Sequence, residues 1–229
     1  MSSPAARARV RLGAIALDFD GVVVESVGIK DEAFRLLLPE YPDATNTIMS
    51  YHLAHNAVDR YAKFRHIAER ILGIPFTTAL ELEWTARFDR LTHERVVRCP
   101  FVPGAPDLIE QFKGRVPLYL VSATPERELH AILEERALKG SFAGIFSSSV
   151  KKTDALRRII ASEGIPTAAM VFIGDSPEDE QTARACGVTF VARTGRYDFH
   201  GVPGGRDMHE VIRLVEALML EVEDQRDFA

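Results

Sequence analysis

The chain has 229 residues, with 28 Lys and Arg against 33 Asp and Glu, a formal net charge of -5. That acidic balance excludes a broad nucleic-acid surface, which needs clustered basic residues, and no apolar stretch is long enough to span a membrane. The two cysteines, Cys99 and Cys186, form neither a CxxC pair nor a zinc-ligand spacing, so they read as reduced thiols of a cytoplasmic protein.

Residues 1–11 are basic and precede an apolar run, but Asp18 and Asp20 interrupt that run and no small-residue cleavage site follows. The segment before Leu12 therefore reads as a short disordered tail rather than a secretion signal. Residues 12–17 (LGAIAL), 116–121 (VPLYLV), 143–146 and 169–173 (AMVFI) predict strands, with a weaker one at 189–192. They lack polar alternation, as strands buried on both faces should. Helical patterns lie between them. Thr124 is positioned to cap a helix with Pro125 in its first turn, and Thr153 another that ends at Gly164; Asp207 and Glu210 predict a capping box for the last helix. The glycines of 202–205 predict a loop. Strands alternating with helices imply a parallel sheet covered on both faces.

Residues 26–98 break the alternation with helical patterns alone. Positions 56–72 carry Val58, Tyr61, Phe64, Ile67 and Ile71 on one face and end at Gly73; Thr78 and Glu81 predict a capping box for the next helix. A helical stretch of this size between the first two strands implies an insertion. The expected division is an α/β core of 1–24 and 100–229 and a helical domain of 25–99, with crossings near 24–26 and 100–106 able to hinge.

The informative residues are carboxylates in costly places. Asp18 and Asp20 (LDFDGV) end the first strand, and Asp175 and Asp179 (GDSPED) follow the fourth. Such groups lose hydration and repel one another, and a cation would resolve the conflict. Ser176, Pro177 and Asp179 also make an ordinary capped helix start, which explains Asp179 without chemistry but not Asp175. In an open parallel sheet, ligands bind beyond the carboxyl ends of the strands, where Asp18, Asp20 and Asp175 would meet. Oxygen ligands without histidine suit Mg²⁺ better than zinc. Ser122 ends the second strand at the same edge. Lys151 and Lys152 open a helix, where a cation is unfavourable unless it faces an anion. No P-loop and no GxGxxG occurs.

Together these segments resemble the haloacid dehalogenase superfamily of phosphohydrolases. Asp18-Phe19-Asp20-Gly21-Val22 matches its DxDGx motif, Ser122 its second, Lys152 or Lys151 its third, and Gly174 to Asp179 its GDxxxD motif. Lys152 is preferred for its spacing to Leu156. The helical insertion is similar to the cap of the phosphoglycolate phosphatase and β-phosphoglucomutase branch. The resemblance implies a three-layer Rossmann-like parallel sheet core in strand order 5-4-1-2-3 with an inserted all-helical cap domain. It implies a Mg²⁺-dependent phosphatase of small phosphate monoesters, of phosphoglycolate or sugar-phosphate type. Asp18 would be nucleophile and Asp20 acid and base, with Ser122, Ala123 and Lys152 on the phosphate. Asp18, the Asp20 carbonyl, Asp175 and Asp179 would hold the metal. Haloacid dehalogenases and phosphonatases in this superfamily lack an Asp at position 20, so its presence favours phosphate esters.

Arg60 and Lys63, at helical spacing with Asn56, are candidates to grip the substrate. His52 and His55 are rejected as a metal pair because no acidic partner stands nearby in sequence. The expected partner is a small phosphorylated metabolite, with no nucleic acid or membrane, and the chain a monomer or homodimer. Two alternatives remain at this point: a phosphomutase using the same aspartates, and a non-catalytic binding module on the same fold.

Overall fold

The computed structural model describes residues 11–55 and 58–223; the expected tail before Leu12 lies almost wholly outside them, as does Asn56. Six strands form one sheet: β1 (Ala14–Leu17), β2 (Leu118–Val121), β3 (Gly144–Phe146), β4 (Met170–Gly174), β5 (Thr189–Arg193) and β6 (Gly204–Gly205). Their order is β3-β2-β1-β4-β5-β6 and every pairing is parallel. β1, β2 and β4 are buried along their whole length, which is why their sequences show no alternation.

Successive side chains still part to opposite faces. Ile15 and Leu17 join a cluster with α5 (Ala105–Phe112), α6 (Glu126–Glu135) and α9 (Met208–Glu223), while Ala14 and Ala16 join another with α7 (Lys152–Glu163) and α8 (Pro177–Cys186). The result is the three-layer α/β architecture. From β1 the chain builds outward through β2 and β3, then returns to place β4 on the other side of β1. Strand direction of growth thus reverses at β1, and a crevice opens at its carboxyl end.

The segment between β1 and β2 is helical: α1 (Val27–Leu36), α2 (Thr45–Ala54), α3 (Arg60–His66) and α4 (Thr78–Arg98), with a 3₁₀ turn at Pro42–Ala44 and a wider π turn at Ile67–Leu72. These helices close around their own aromatic cluster of Phe34, Phe64, Trp84 and Phe88. Where the chain leaves and re-enters the sheet, the two crossings bond to each other. Glu25 N donates to Pro100 O at 3.0 Å and Val102 N to Val23 O at 3.1 Å. Arg136, at the C-cap of α6, donates to the carbonyls of Val96, Val97 and Cys99 at 3.0, 2.6 and 2.9 Å, satisfying the open C-terminal end of α4.

Several local expectations shift. The cap of α4 is Thr77, whose hydroxyl accepts from Leu80 N at 3.2 Å, not Thr78. The helix expected over 56–72 starts at Arg60, because Asp59 accepts from Tyr61 N and Ala62 N and fixes the first turn there. Thr153 sits inside α7 rather than capping it, although Gly164 does end it in a left-handed conformation. At α9, Asp207 accepts from Glu210 N at 2.9 Å, but Glu210 turns to Arg206 N, one residue short of a reciprocal box. The loop expected at 202–205 contains β6. Its pairing uses main chain only, and a Cβ on Gly205 would stand 2.5 Å from Glu210 Cβ, so no side-chain pattern could announce it.

Phe64 is fully buried, with its ring centroid 6.0, 5.7 and 5.9 Å from those of Phe34, Trp84 and Phe88. Phe64→Ala is expected to cost about 3–5 kcal/mol of unfolding free energy in urea titration; a loss below about 1 kcal/mol would show that this cluster does not hold the helices together.

Candidate active site

The crevice at the carboxyl ends of β1 and β4 collects the acidic residues. β1 delivers Asp18, whose amide donates to Ile173 O at 2.9 Å and so continues the ladder with β4. Gly21 follows at φ +76°, and a Cβ there would lie 2.2 Å from Asp175 Oδ2. Only glycine lets the two carboxyl-bearing turns approach this closely. Gly174 acts similarly, since its Cβ would meet Asp179 Cβ at 2.4 Å. Ser176 and Asp179 form the reciprocal capping box of α8, with Ser176 Oγ donating to Asp179 Oδ2 at 2.7 Å and accepting from Asp179 N at 3.2 Å.

One carboxylate oxygen from each of Asp18, Asp175 and Asp179 lies within 4.8 Å of the others, and all three residues are buried. Lys152, the first residue of α7, reaches Asp179 Oδ1 at 2.7 Å and Asp18 Oδ2 at 3.1 Å. Lys151 stands exposed at the cap position. Asp18 Oδ1 also accepts from Phe19 N at 2.7 Å. Asp175 accepts no hydrogen bond and makes no ion pair among the described residues, although only 7% of it is exposed.

The electrostatic consequences follow. Burial pushes the Asp18 carboxyl up to about 7; Lys152 pulls it down, and Asp179 and Asp20 push it further up. Burial raises Asp175 well above the carboxylate range, with Asp18 and Asp179 adding to the effect. Burial opposes the Lys152 charge, but Asp179 and Asp18 outweigh it and raise that ammonium above its ordinary value. One lysine against three buried carboxylates leaves too little positive charge for all three to ionise together. A set of hard oxygen donors with one orphaned member fits a divalent cation.

Asp20 faces elsewhere. Its carboxylate accepts from Ser26 Oγ and Lys30 Nζ, both at 2.5 Å, and from Thr124 Oγ1 at 3.0 Å. Burial would raise this carboxyl, but Lys30, with Ser26 and Thr124, outweighs burial and holds it below the usual range. The Asp20 side chain therefore stands apart from the other three. Thr124, expected to cap α6, instead serves Asp20, and α6 starts after Pro125 with no side-chain cap. Ser122 is buried behind Ala123 and Thr124, its hydroxyl accepting from Thr124 N at 3.1 Å; Ala123 and Thr124 line the cavity and Ser122 does not.

The cavity, of about 110 Å³, lies between the sheet edge and the inserted helices. Arg60 and Lys63 both line it, and both are buried rather than lying on a wet helix face. Arg60 bridges Asp89 at 3.0 Å and Glu128 at 2.9 Å. Lys63 contacts His52 Nδ1 at 3.2 Å, and burial, helped by nearby Lys30, lowers its ammonium to about 8. His52 does have an acidic partner, contrary to expectation: Asp31 lies 2.8 Å from Nε2, and Arg196 binds the other Asp31 oxygen at 2.8 Å. His55 turns to Tyr51 O, and among the described residues the three aspartates are the single metal-holding group. Lys30, Ser26, Asp31, Glu128 and Arg196 escaped the sequence analysis. A half-buried Asp20 demanded a counter-charge, but only the fold reveals that it comes from α1.

A family model for haloacid dehalogenase-like hydrolases matches residues 12–187. A phosphoglycolate phosphatase from Synechococcus elongatus is 26% identical over 191 residues, covering 79% of this chain and 83% of the relative. Another, from Aliivibrio fischeri, is 26% identical over 210 residues, covering 86% and 90%. Among solved structures, CbbY from Rhodobacter sphaeroides in complex with phosphate superposes with a TM-score of 0.70 at 17% identity, over 87% of this chain and 96% of that one. The chain belongs to the haloacid dehalogenase-like hydrolase family. Within it the chain is an enzyme, a phosphatase, which sets the non-catalytic alternative aside. No helix among the described residues is long and apolar enough to cross a membrane.

The raised Asp18 carboxyl has a measurable consequence. Its folded-state value of about 7 lies above the 3.8 of an ordinary Asp, so the folded protein holds this proton more tightly than the unfolded chain. The stability contributed is therefore greatest at low pH and is lost as pH rises from about 4 to about 7. In metal-free buffer, Asp18→Asn is expected to gain on the wild type by on the order of 2 kcal/mol more at about pH 8 than at about pH 5, in chemical unfolding. An equal difference at both pH values would contradict it.

Proposed function

We propose that this phosphatase hydrolyses a small phosphate monoester, of phosphoglycolate or sugar-phosphate type, through an aspartyl-phosphate on Asp18 with Mg²⁺ as cofactor. The observation that carries the reading is the convergence of Asp18, Asp175, Asp179 and Lys152 at the sheet's switch point, directly beneath a cavity walled by the inserted helices. The phosphoglycolate phosphatase relatives support the substrate class.

Asp18 attacks phosphorus with a carboxylate oxygen, and the bond from phosphorus to the ester oxygen breaks. Lys152, placed against Asp18 and Asp179, is available to neutralise negative charge on the phosphoryl oxygens. The main chain beyond Phe19 and at Ala123, which lines the cavity, completes the phosphate cradle in this reading, with Ser122 behind it holding the turn through Thr124 N. Asp20 gives a proton to the departing oxygen, then takes one from the water that hydrolyses the aspartyl-phosphate, returning both carboxylates to their starting states. As it stands Asp20 is an ionised base held by Lys30, Ser26 and Thr124. Serving first as an acid requires those contacts to loosen and a proton to be taken up. Asp18, the Asp20 carbonyl, Asp175 and Asp179 would hold Mg²⁺, which would supply charge neutralisation and alignment.

In this reading residues 25–99 form a cap that selects the leaving group, and residues 1–24 and 100–229 the core that performs the chemistry. Arg60 and Lys63 belong to the leaving-group wall. The partner is a small phosphorylated metabolite, the enzyme works as a monomer or homodimer, and the two free thiols suit the cytoplasm.

With Mg²⁺ and a panel of phosphate monoesters, Asp18→Asn is expected to lose at least about a thousandfold in kcat while unfolding cooperatively; wild-type turnover in that variant would end the covalent route. Chelation should silence the wild-type enzyme and added Mg²⁺ restore it, whereas activity indifferent to chelator would remove the metal from the account.

A further inference from the structure

The wall of the cavity that faces the leaving group is strongly charged and closely paired. Lys30, Arg60, Lys63 and Arg196 bring four positive charges to the lining, and Asp20, Asp31 and Glu128 three negative ones. Asp89, outside the lining, holds Arg60 from behind, so Lys30, Arg60 and Arg196 each have a carboxylate partner at 2.5–3.0 Å. His52 adds no charge, because burial lowers its pKa despite Asp31. A leaving group with its own negative charge would find three of these four cations already held by carboxylates, and to reach those three it would have to displace an ion pair or lie against a carboxylate.

Glu128 is the feature that selects for something else. It projects from α6 of the sheet domain into the cavity and is only 8% exposed. Among the described residues its one ionic partner is Arg60 Nη2 at 2.9 Å, and neither carboxylate oxygen accepts a well-directed hydrogen bond. Arg60 is held from its other side by Asp89, with its guanidinium 4.7 Å from the Phe88 ring centroid, so it cannot swing to serve Glu128 better. A buried carboxylate with open lone pairs is costly unless a donor arrives. An ionised carboxylate accepts and cannot donate, so it suits a hydroxyl or a neutral N–H donor, while Lys30, Lys63 and Arg196 in the same lining disfavour a cationic one; on a phosphate ester the commonest such donor is a hydroxyl. Phe34, Phe88 and Pro125 supply apolar faces in the same cavity for the carbon skeleton between those hydroxyls.

We propose that the leaving group is an uncharged, hydroxylated one, a sugar or polyol, and that Glu128 is the specificity-determining residue that accepts its hydroxyl hydrogens. The inference rests on the phosphatase reading above and narrows it, away from carboxylate-bearing esters such as phosphoglycolate. The test is kcat/KM for wild type, Glu128→Gln and Glu128→Asp on hexose 6-phosphates, a polyol phosphate, phosphoglycolate and p-nitrophenyl phosphate. Wild type should favour the best hydroxylated ester over phosphoglycolate by at least about tenfold. Glu128→Gln, which removes both the charged acceptor and the repulsion, should reduce that preference at least about tenfold, with phosphoglycolate gaining. Glu128→Asp keeps the charge but withdraws it by one methylene; it should weaken the hydroxylated esters without helping phosphoglycolate. A wild-type preference for phosphoglycolate, or an unchanged ratio in folded Glu128→Gln, would overturn the role of Glu128 while leaving the phosphatase intact. Absence of turnover on every ester, p-nitrophenyl phosphate included, would overturn both.

Discussion

Mutual repulsion among buried carboxylates is the constraint around which this molecule is organised. Carboxylate oxygens of Asp18, Asp175 and Asp179 are brought within 4.8 Å of one another where burial limits screening by water, with Lys152 bridging Asp18 and Asp179. The fold makes that proximity unavoidable. Asp18 and Asp175 end adjacent strands of a parallel sheet whose order reverses at β1. Gly21 and Gly174 remove the side-chain atoms that would hold the turns apart. The capping box of α8 then fixes Asp179 against Ser176 whatever else binds. Asp179 is thus well provided for, by Ser176 and Lys152, whereas Asp175 has no partner among the described residues. The deficit of positive charge therefore falls on the side of Asp175 and Asp18, where a divalent ion would repair it.

The second acidic side chain of the first motif is treated in the opposite way. Asp20 leaves the cluster for Lys30 and Ser26, at the start of the helical insertion, and Thr124, beyond β2. Two carboxylates two residues apart consequently sit in environments that push them in opposite directions, one up to about 7 and one below the ordinary range. Such divergence suits the two roles proposed for them, nucleophile and proton carrier. It also ties Asp20 to the helical insertion, because Lys30 belongs to α1. Arg60 to Glu128 and Arg196 to Asp31 join the insertion to the sheet domain around the same cavity, so the arrangement of the leaving-group wall depends on how the two parts meet.

The sheet and its acidic edge were legible because their signals are local. Apolar runs without alternation announce strands buried on both faces, and a carboxylate ending such a run is conspicuous. Boundaries moved by a residue or two wherever two candidate caps were adjacent: Thr77 and Thr78 look alike in sequence, and only the turn geometry chooses. Thr124 was misread because Thr followed by Pro is a sound helix start; a partner 104 residues away claimed its hydroxyl. β6 left no trace because glycines pair through main chain alone. Glu128 was invisible for a deeper reason. On a helix with the pattern of α6 a glutamate reads as a solvated residue, and its burial is created by Arg60 arriving from another part of the chain.

Calorimetric titration of Mg²⁺ into the wild type and Asp175→Asn, without substrate, reads the carboxylate repulsion directly. Saturable binding to the wild type is expected, and at least about tenfold weaker binding to the variant, since the carboxylate it neutralises is the one without a partner among the described residues. Equal affinity in the two proteins, or no binding to either, would contradict it.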